Sequence, residues 1–295
     1  YVVFSGKKLM DPNVAPADTV LWFKPTQDCS SAFTGSSVFD FDGNGKAEVV
    51  YADELYMRIY DGTTGEVLTQ ACNTSGTLHE YPLVADVDGD SQADIVVTSN
   101  SYSGLTCPIE MMQTQGVRVF GDVKGQWVRT RRVWNQHSYH VTNIGEDGTV
   151  PTSETSNWSA PRLNNFRQNV QPEGEFAAPD LVVSGRAECL NGLQAYARVR
   201  NIGQASVPSG VVVGFYEGDP AQGGVLLGKG MTSKVLYPAE AQDVVLDLPV
   251  LPPALMDGSK ALVLVVDDSG EPHPWTECRI DNNQTSIDPA CKLVG

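Results

Sequence analysis

Apolar residues come in short β-branched runs broken by Gly, Pro, Asn and Asp along the whole 295-residue chain, a pattern that predicts short strands and little helix. The pattern is cleanest toward the C-terminus. Leu181–Val183, Leu193–Val199, Gly210–Tyr216, Val225–Leu227, Asp243–Leu248 and Ala261–Val266 read as six strands between turn residues. About seven short strands in roughly 110 residues is the signature of an immunoglobulin-like sandwich. In the N-terminal half, Tyr56–Tyr60, the turn Asp61–Gly65 and Glu66–Leu68 read as strand, turn, strand. Val117–Phe120, Gly121–Gly125 and Gln126–Val128 repeat that reading. Between the halves, residues 129–179 alternate little and are rich in Trp, Asn and His, which predicts an ordered connector, because so many aromatic residues would serve no purpose in a flexible linker.

The N-terminal half contains an internal repeat. Ser37–Val50 aligns with Leu83–Val96, 46 residues further on, a period that suggests propeller blades or a solenoid. Each copy opens on an acidic loop with side-chain oxygens at relative positions 1, 3, 5 and 9: Asp40, Asp42, Asn44 and Glu48, then Asp86, Asp88, Asp90 and Asp94. Alternate spacing on a tight turn points such groups at one centre. The backbone carbonyls of Lys46 and Gln92, at position 7, would complete an all-oxygen shell of the kind Ca2+ takes, so two calcium sites are expected. Zinc would call for His or Cys, and magnesium for a stricter octahedron. An EF-hand is excluded: position 12 is Tyr51 or Val97, inside β-branched runs, where a bidentate Glu is needed. Ser91 stands where the first copy has Gly45, so the second loop places a side chain at a position that favours glycine.

The two loops, each followed by an acidic residue and a Val-rich strand, resemble the FG-GAP (VCBS-type) repeats of integrin-like β-propellers over about residues 30–130. That resemblance implies calcium as a structural ion holding blade loops, and a propeller used for recognition. A closed ring takes about four to eight blades. Here there are two clear repeats, with Tyr1–Phe4 and Trp22–Phe23 as remnants of another, so the propeller is expected to be partial, with open edges available to a partner chain. Further on, Ala197–Gly203, Val265–Asp268 and Cys278–Asn283 resemble CARDB-type adhesion modules over about 180–288. The expected organisation is therefore all-β. Residues 1–128 form a partial β-propeller-like repeat domain with two calcium loops, 129–179 a connector, and 180–295 a CARDB-like immunoglobulin-type sandwich.

Net charge narrows the partners. With 20 basic against 36 acidic residues the chain carries −16, which repels nucleic acid and anionic membrane. No apolar run is long enough to span a bilayer. The start at Tyr1 looks processed or truncated. Six widely spaced cysteines, Cys29, Cys72, Cys107, Cys189, Cys278 and Cys291, form no CxxC motif and read as disulfide partners. Disulfides and calcium loops both place the chain outside the cytoplasm, secreted or on a cell surface. A Cys189–Cys278 bridge would pin the first strands of the sandwich to the last. Cys29, Cys72, Cys107 and Cys291 would then share two bridges, with Cys291 crossing between the halves. Sequons occur at Asn73, Asn157 and Asn283.

No nucleophile elbow, zincin motif, P-loop or dinucleotide fingerprint occurs. His137 and His140 have no carboxylate or third ligand at a convincing spacing and read as hydrogen-bonding residues. Trp127, Trp134 and Trp158 could form an aromatic ligand platform, although inter-domain packing is the commoner use of such residues. The expected function is that of a non-enzymatic, calcium-stabilised structural or adhesion protein, as a subunit of a surface filament or sheath that meets other copies of itself. The alternatives are an adhesion module for a cell-surface protein or glycan, and the accessory C-terminal region of a secreted hydrolase.

Overall fold

The computed structural model describes residues 1–28, 33–189, 192–288 and 290–291. Among these the fold is all-β. Helix is confined to the four-residue turns Gly6–Leu9 and Pro253–Met256 and two short 3-10 turns. The chain separates into two compact units, one comprising Tyr1–Tyr139 with Phe166–Asn169, the other His140–Asn165 with Val170–Gly295. The 129–179 segment is thus shared between the two.

In the first unit, β1 (Val2–Phe4) and β2 (Val20–Phe23) pair as a two-stranded sheet. A four-stranded sheet follows in the order β3 (Ser36–Phe39), β4 (Glu48–Ala52), β5 (Tyr56–Tyr60), β6 (Val67–Cys72). A three-stranded sheet then contains β7 (Leu83–Ala85), β8 (Asp94–Ser99) and β9 (Gly116–Phe120). All these ladders are antiparallel, and none of the sheets closes into a ring. Every residue of β4 is buried because both of its faces are covered. Val49 and Tyr51 pack with Trp22 and Tyr60 on one side, while Val50 and Ala52 pack with Met57, Ile59, Val84, Ile95 and Val97 on the other. Successive side chains of a strand point to opposite faces, so this VVYA run serves two neighbouring sheets at once. Each of the two valines contributes about 1.5–3 kcal/mol on full burial.

Two irregular segments complete the unit. Val128 donates its N–H to Phe41 O (2.9 Å) and accepts from Ala93 N (3.0 Å), so one residue bonds to both acidic loops. Gln126–Val128 was expected as a strand closing the second repeat. It forms none, because Val128 is held by Phe41 and Ala93 and β9 is left as an edge. Phe166–Asn169 threads back in: Gln168 forms a parallel bridge with Val38, and Asn169 Nδ2 donates to Val84 O (2.7 Å) and Arg131 O (2.9 Å). Tyr139, fully buried, donates to Asn169 Oδ1 (2.7 Å).

The second unit is an immunoglobulin-like sandwich. One sheet runs in the order β10 (Leu181–Glu188), β11 (Leu193–Asn201), β14 (Ala241–Leu248). The facing sheet runs β13 (Val225–Met231), β12 (Val212–Glu217), β15 (Leu262–Val266), β16 (Gln284–Ile287). Alternation in β11 buries Leu193, Ala195, Ala197 and Val199 against Phe215, Leu262 and Leu264 of the other sheet. The Leu264 side chain of the facing sheet packs so closely on Gly185 that a Cβ there would lie 2.2 Å from Leu264 Cδ1. A separate small cluster of Val141, Leu163, Val170, Ala178 and Cys278 orders the turns before the sandwich.

The disulfides differ from expectation. Cys72 pairs with Cys107 and Cys189 with Cys291. The expected Cys189–Cys278 bridge is replaced because Cys278 sits at the wrong end of β10. Its N–H donates to Pro179 O (3.1 Å), beside the first residue of that strand, whereas Cys189 follows the last. At about 3.3 Å per residue the two ends of an eight-residue strand are roughly 25 Å apart. Cys291 therefore does not cross to the first unit. Beyond β16 the tail returns to the far end of β10, with the Cα atoms of Cys189 and Cys291 5.7 Å apart. Cys29 lies outside the described residues. All three sequon asparagines have their side chains enclosed: Asn73 is fully buried and bonded to Thr98 O, Asn157 is buried, and Asn283 donates to Glu277.

Candidate metal centre

Both acidic loops sit at the same place in their sheets, between the first strand and the second: residues 40–47 join β3 to β4, and 86–93 join β7 to β8. The tight turn needs left-handed backbone at four positions, Gly43 (φ 72°), Gly45 (83°), Gly89 (83°) and Ser91 (73°). Ser91 adopts the glycine-like conformation that Gly45 has in the first copy, so the repeat is conserved in backbone where it differs in residue.

Turn-internal hydrogen bonds fix the carboxylates. Asp40 accepts from Asn44 N (3.0 Å) and Gly45 N (2.8 Å), and Asp42 Oδ1 from Asn44 N (3.1 Å). Glu48, the first residue of β4, reaches back to accept from Phe41 N (2.8 Å). The second loop repeats this: Asp86 accepts from Gly89 N (2.7 Å), Asp88 from Asp90 N (3.0 Å), and Asp94, the first residue of β8, from Val87 N (3.0 Å). As a result Asp40, Asp42 and Glu48 bring oxygens within 4.8 Å of one another, and Asp86, Asp88 and Asp94 do the same.

Position 5 is used differently. Asn44 donates Nδ2 to Asp42 Oδ2 (2.9 Å) and accepts from Lys46 N (2.8 Å), while Asp90 accepts from Gln92 N (2.8 Å) and Gln92 Nε2 (3.2 Å). Asn44 and Asp90 thus orient residues 46 and 92 within the turn, and Asp90 stands outside the converging trio. Gln92 Oε1 is buried without a hydrogen-bond partner.

Electrostatics favours a cation at each trio. Two like charges 4.8 Å apart repel by about 1 kcal/mol at the dielectric of water and about 3 kcal/mol at the effective value of ~20 near a protein surface. The strain shows at the buried members. Glu48 is pushed up to about 7, first by burial and further by the charges of Asp42 and Asp40, against the opposing bond from Phe41 N. Asp94 is raised by burial and by Asp88, Asp90 and Asp86, again against a backbone N–H. The donor set is oxygen only, which fits a hard divalent cation of calcium's size and flexibility and fits zinc poorly.

The other sequence candidates lie elsewhere. Trp127 packs on Phe41 (ring centroids 4.6 Å apart) at the edge of the core under the first loop. Trp134 stacks on Tyr139 (4.4 Å, 20°) in the first unit, whereas Trp158 is 74% exposed in the second. His137 Nε2 bonds to His79 O (3.3 Å), and His140 Nε2 pairs with Glu154.

The model of the FG-GAP-like repeat family matches residues 40–97, a span that contains both acidic loops. Among solved structures, the chain is similar to the V. cholerae biofilm matrix protein Bap1, with 35% identity and a TM-score of 0.45 over 52% of this chain and 24% of that one. It is also similar to the CARDB domain of a Pyrococcus furiosus protein in complex with di-metal ions, with 20% identity and a TM-score of 0.30 over 39% of this chain and 90% of that one. The chain thus spans about a quarter of the length of the biofilm matrix protein. No curated protein matches it.

Proposed function

We propose that this chain is a non-enzymatic extracellular module for adhesion or matrix structure, and that its repeat unit is held by two structural Ca2+ ions, one in each acidic loop. The observation that carries the reading is the double occurrence, 46 residues apart, of three carboxylates converging within 4.8 Å at the start of an inner strand. Asp40, Asp42 and Glu48 would hold one ion and Asp86, Asp88 and Asp94 the other, with the backbone at Lys46 and Gln92 completing each shell. A bound cation supplies the positive charge that lets Glu48 and Asp94 ionise where they are buried. Because Val128 bonds to both loops, ordering either loop also orders the strip between them. The match to the FG-GAP-like repeat family over both loops supports the same reading.

The two disulfides support an oxidising compartment. No helix among the described residues is long and apolar enough to cross a membrane. The net charge of −16 disfavours nucleic acid and leaves protein or glycan at a cell surface, or further copies of the chain, as partners. Assembly into a filament is favoured by one specific feature: among the described residues the outer strands β6 and β9 pair with a strand on one side only, and they expose Val67, Leu68, Val117 and Val119.

Hydrogen exchange with and without calcium tests the metal reading. Chelation is expected to raise exchange in residues 40–48 and 86–94 and in β4 and β8, and to leave the sandwich strands β10 to β16 unchanged. Exchange that is identical in calcium and in EDTA sinks the proposal.

A further inference from the structure

The first unit contains a second feature, unrelated to the acidic loops: a cavity of about 330 Å³ lined by His79, Glu80, Tyr81, Trp134, Asn135, Gln136 and His137, together with Leu83 and Thr98. We infer that this cavity is a binding site for a neutral saccharide, one or two sugar rings of a longer glycan. The inference goes beyond the metal reading and does not depend on it.

Two segments more than fifty residues apart build the walls and are bonded to each other. Tyr81 OH donates to His137 O (2.5 Å), and His137 Nε2 donates to His79 O (3.3 Å). Trp134 Nε1 donates to Tyr81 OH (3.3 Å). The polar ends of both aromatic side chains are therefore engaged within the wall. The rings, with centroids 6.2 Å apart, are also held by neighbours: Trp134 by the buried Tyr139, and Tyr81 by the Arg167 guanidinium, 4.2 Å from its centroid, and by the His137 ring, 5.1 Å away edge-on. Ring faces held in place in advance lose little entropy on binding and suit the apolar C–H face of a pyranose.

The rim selects against charge. Among the described lining residues there is no Lys or Arg, and the one carboxylate, Glu80, is bound by Ser75 Oγ and Leu78 N and held below its ordinary pKa, so it stays ionised and engaged. Anionic ligands such as phosphates or uronates meet no counter-charge in the lining. The remaining groups are amides and imidazoles, which both donate and accept, as a ring of sugar hydroxyls requires. The volume lies at the lower end of the ~300–1,000 Å³ range of small-ligand sites, and the cavity opens broadly to solvent, which suits an internal unit of a chain.

The test is calorimetric titration of the full chain, in calcium, with cellohexaose, mannohexaose, maltohexaose and chitohexaose, and with hexagalacturonate as the charged comparison. Binding of at least one neutral hexaose is expected, weakened tenfold or more in Tyr81→Ala and in the double variant Gln136→Ala/His137→Ala. The double variant removes the His137 Nε2 bond to His79 O but keeps the wall bonds of Tyr81 OH to the His137 backbone O and of Trp134 Nε1 to Tyr81 OH, so it serves if Tyr81→Ala misfolds. Failure of all four neutral sugars at 10 mM, binding of hexagalacturonate alone, or unchanged affinity in a folded double variant overturns the inference. A sugar that binds equally in EDTA separates this site from the metal loops.

Discussion

Ser91 gives a prediction whose sign follows from the repeat itself. It holds φ 73°, and its counterpart Gly45 holds 83°. A residue with a Cβ incurs about 1–2 kcal/mol in the left-handed region. Glycine returns roughly 0.5–1 kcal/mol of that through the greater freedom of the unfolded chain. Ser91→Gly should therefore stabilise the repeat unit by about 0.5–1 kcal/mol, and Gly45→Ser should destabilise it by a similar amount. The space around Gly45 is empty to 4 Å, so the cost of a side chain there is backbone strain alone. For a unit of about 140 residues, unfolding entropy near 2.1 cal/mol/K per residue converts these values into shifts of about 2–3 °C in Tm. Scanning calorimetry of the two variants beside the parent, in calcium and in EDTA, measures both. Shifts of the same sign in the two variants, or a lower Tm for Ser91→Gly, would refute the argument that the two loops share one strained geometry.

Three further outcomes follow from particular contacts. Cys72→Ser/Cys107→Ser opens a loop of 35 residues and Cys189→Ser/Cys291→Ser one of 102; loop entropy predicts losses of about 4 and about 5 kcal/mol, to be read by denaturant unfolding. Glu277 is buried and pushed up to about 8, mainly by desolvation, with Asp267 and Asp180 adding to the shift and the bonds from Leu181 N and Asn283 opposing it. A carboxyl raised in the fold stabilises fully below its ordinary value of 4.5 and loses that contribution as pH rises toward 8, with a slope of up to about 1.4 kcal/mol per pH unit. Glu277→Gln should flatten that slope and leave the sandwich more stable than the parent at pH 8, since Asn283 Oδ1, now without a partner, can accept from the new amide; parallel pH profiles for parent and variant would contradict this. Asn73 should remain unmodified in a glycosylating host, because its amide donates to Thr98 O inside the fold, and mass spectrometry of a glycosylated Asn73 in folded protein would show the burial to be wrong.

Much of this was legible in the sequence, for identifiable reasons. The convergence of the acidic loops was readable because the spacing of carboxylates on a tight turn is a local property, and because the motif occurs twice. Most sandwich strands announced themselves by β-branched runs, but β16, with the sequence QTSI, carries one apolar residue and gave no signal; it is defined by its ladder to β15. Gln126–Val128 misled in the other direction, since its alternation is real yet its hydrogen bonds go to the loops. Cysteine pairing was decided by which end of β10 each cysteine reaches, which no spacing encodes. Asn44 and Asp90 matched the ligand pattern, and their oxygens also accept the turn's own N–H groups of Lys46 and Gln92, which the sequence did not show. The aromatic cavity joins His79–Tyr81 to Trp134–His137 through tertiary contacts alone; the sequence offered Trp134 but grouped it with Trp127 and Trp158, which lie elsewhere.

Calcium titration into the chelator-treated full chain by isothermal calorimetry addresses the central claim most directly. The proposed function predicts two sites per chain, with Glu48→Gln and Asp94→Asn each abolishing or weakening one and leaving the other. No heat of binding, or a stoichiometry of two that both variants leave untouched, would contradict the assignment of the acidic loops as the metal centres of this fold.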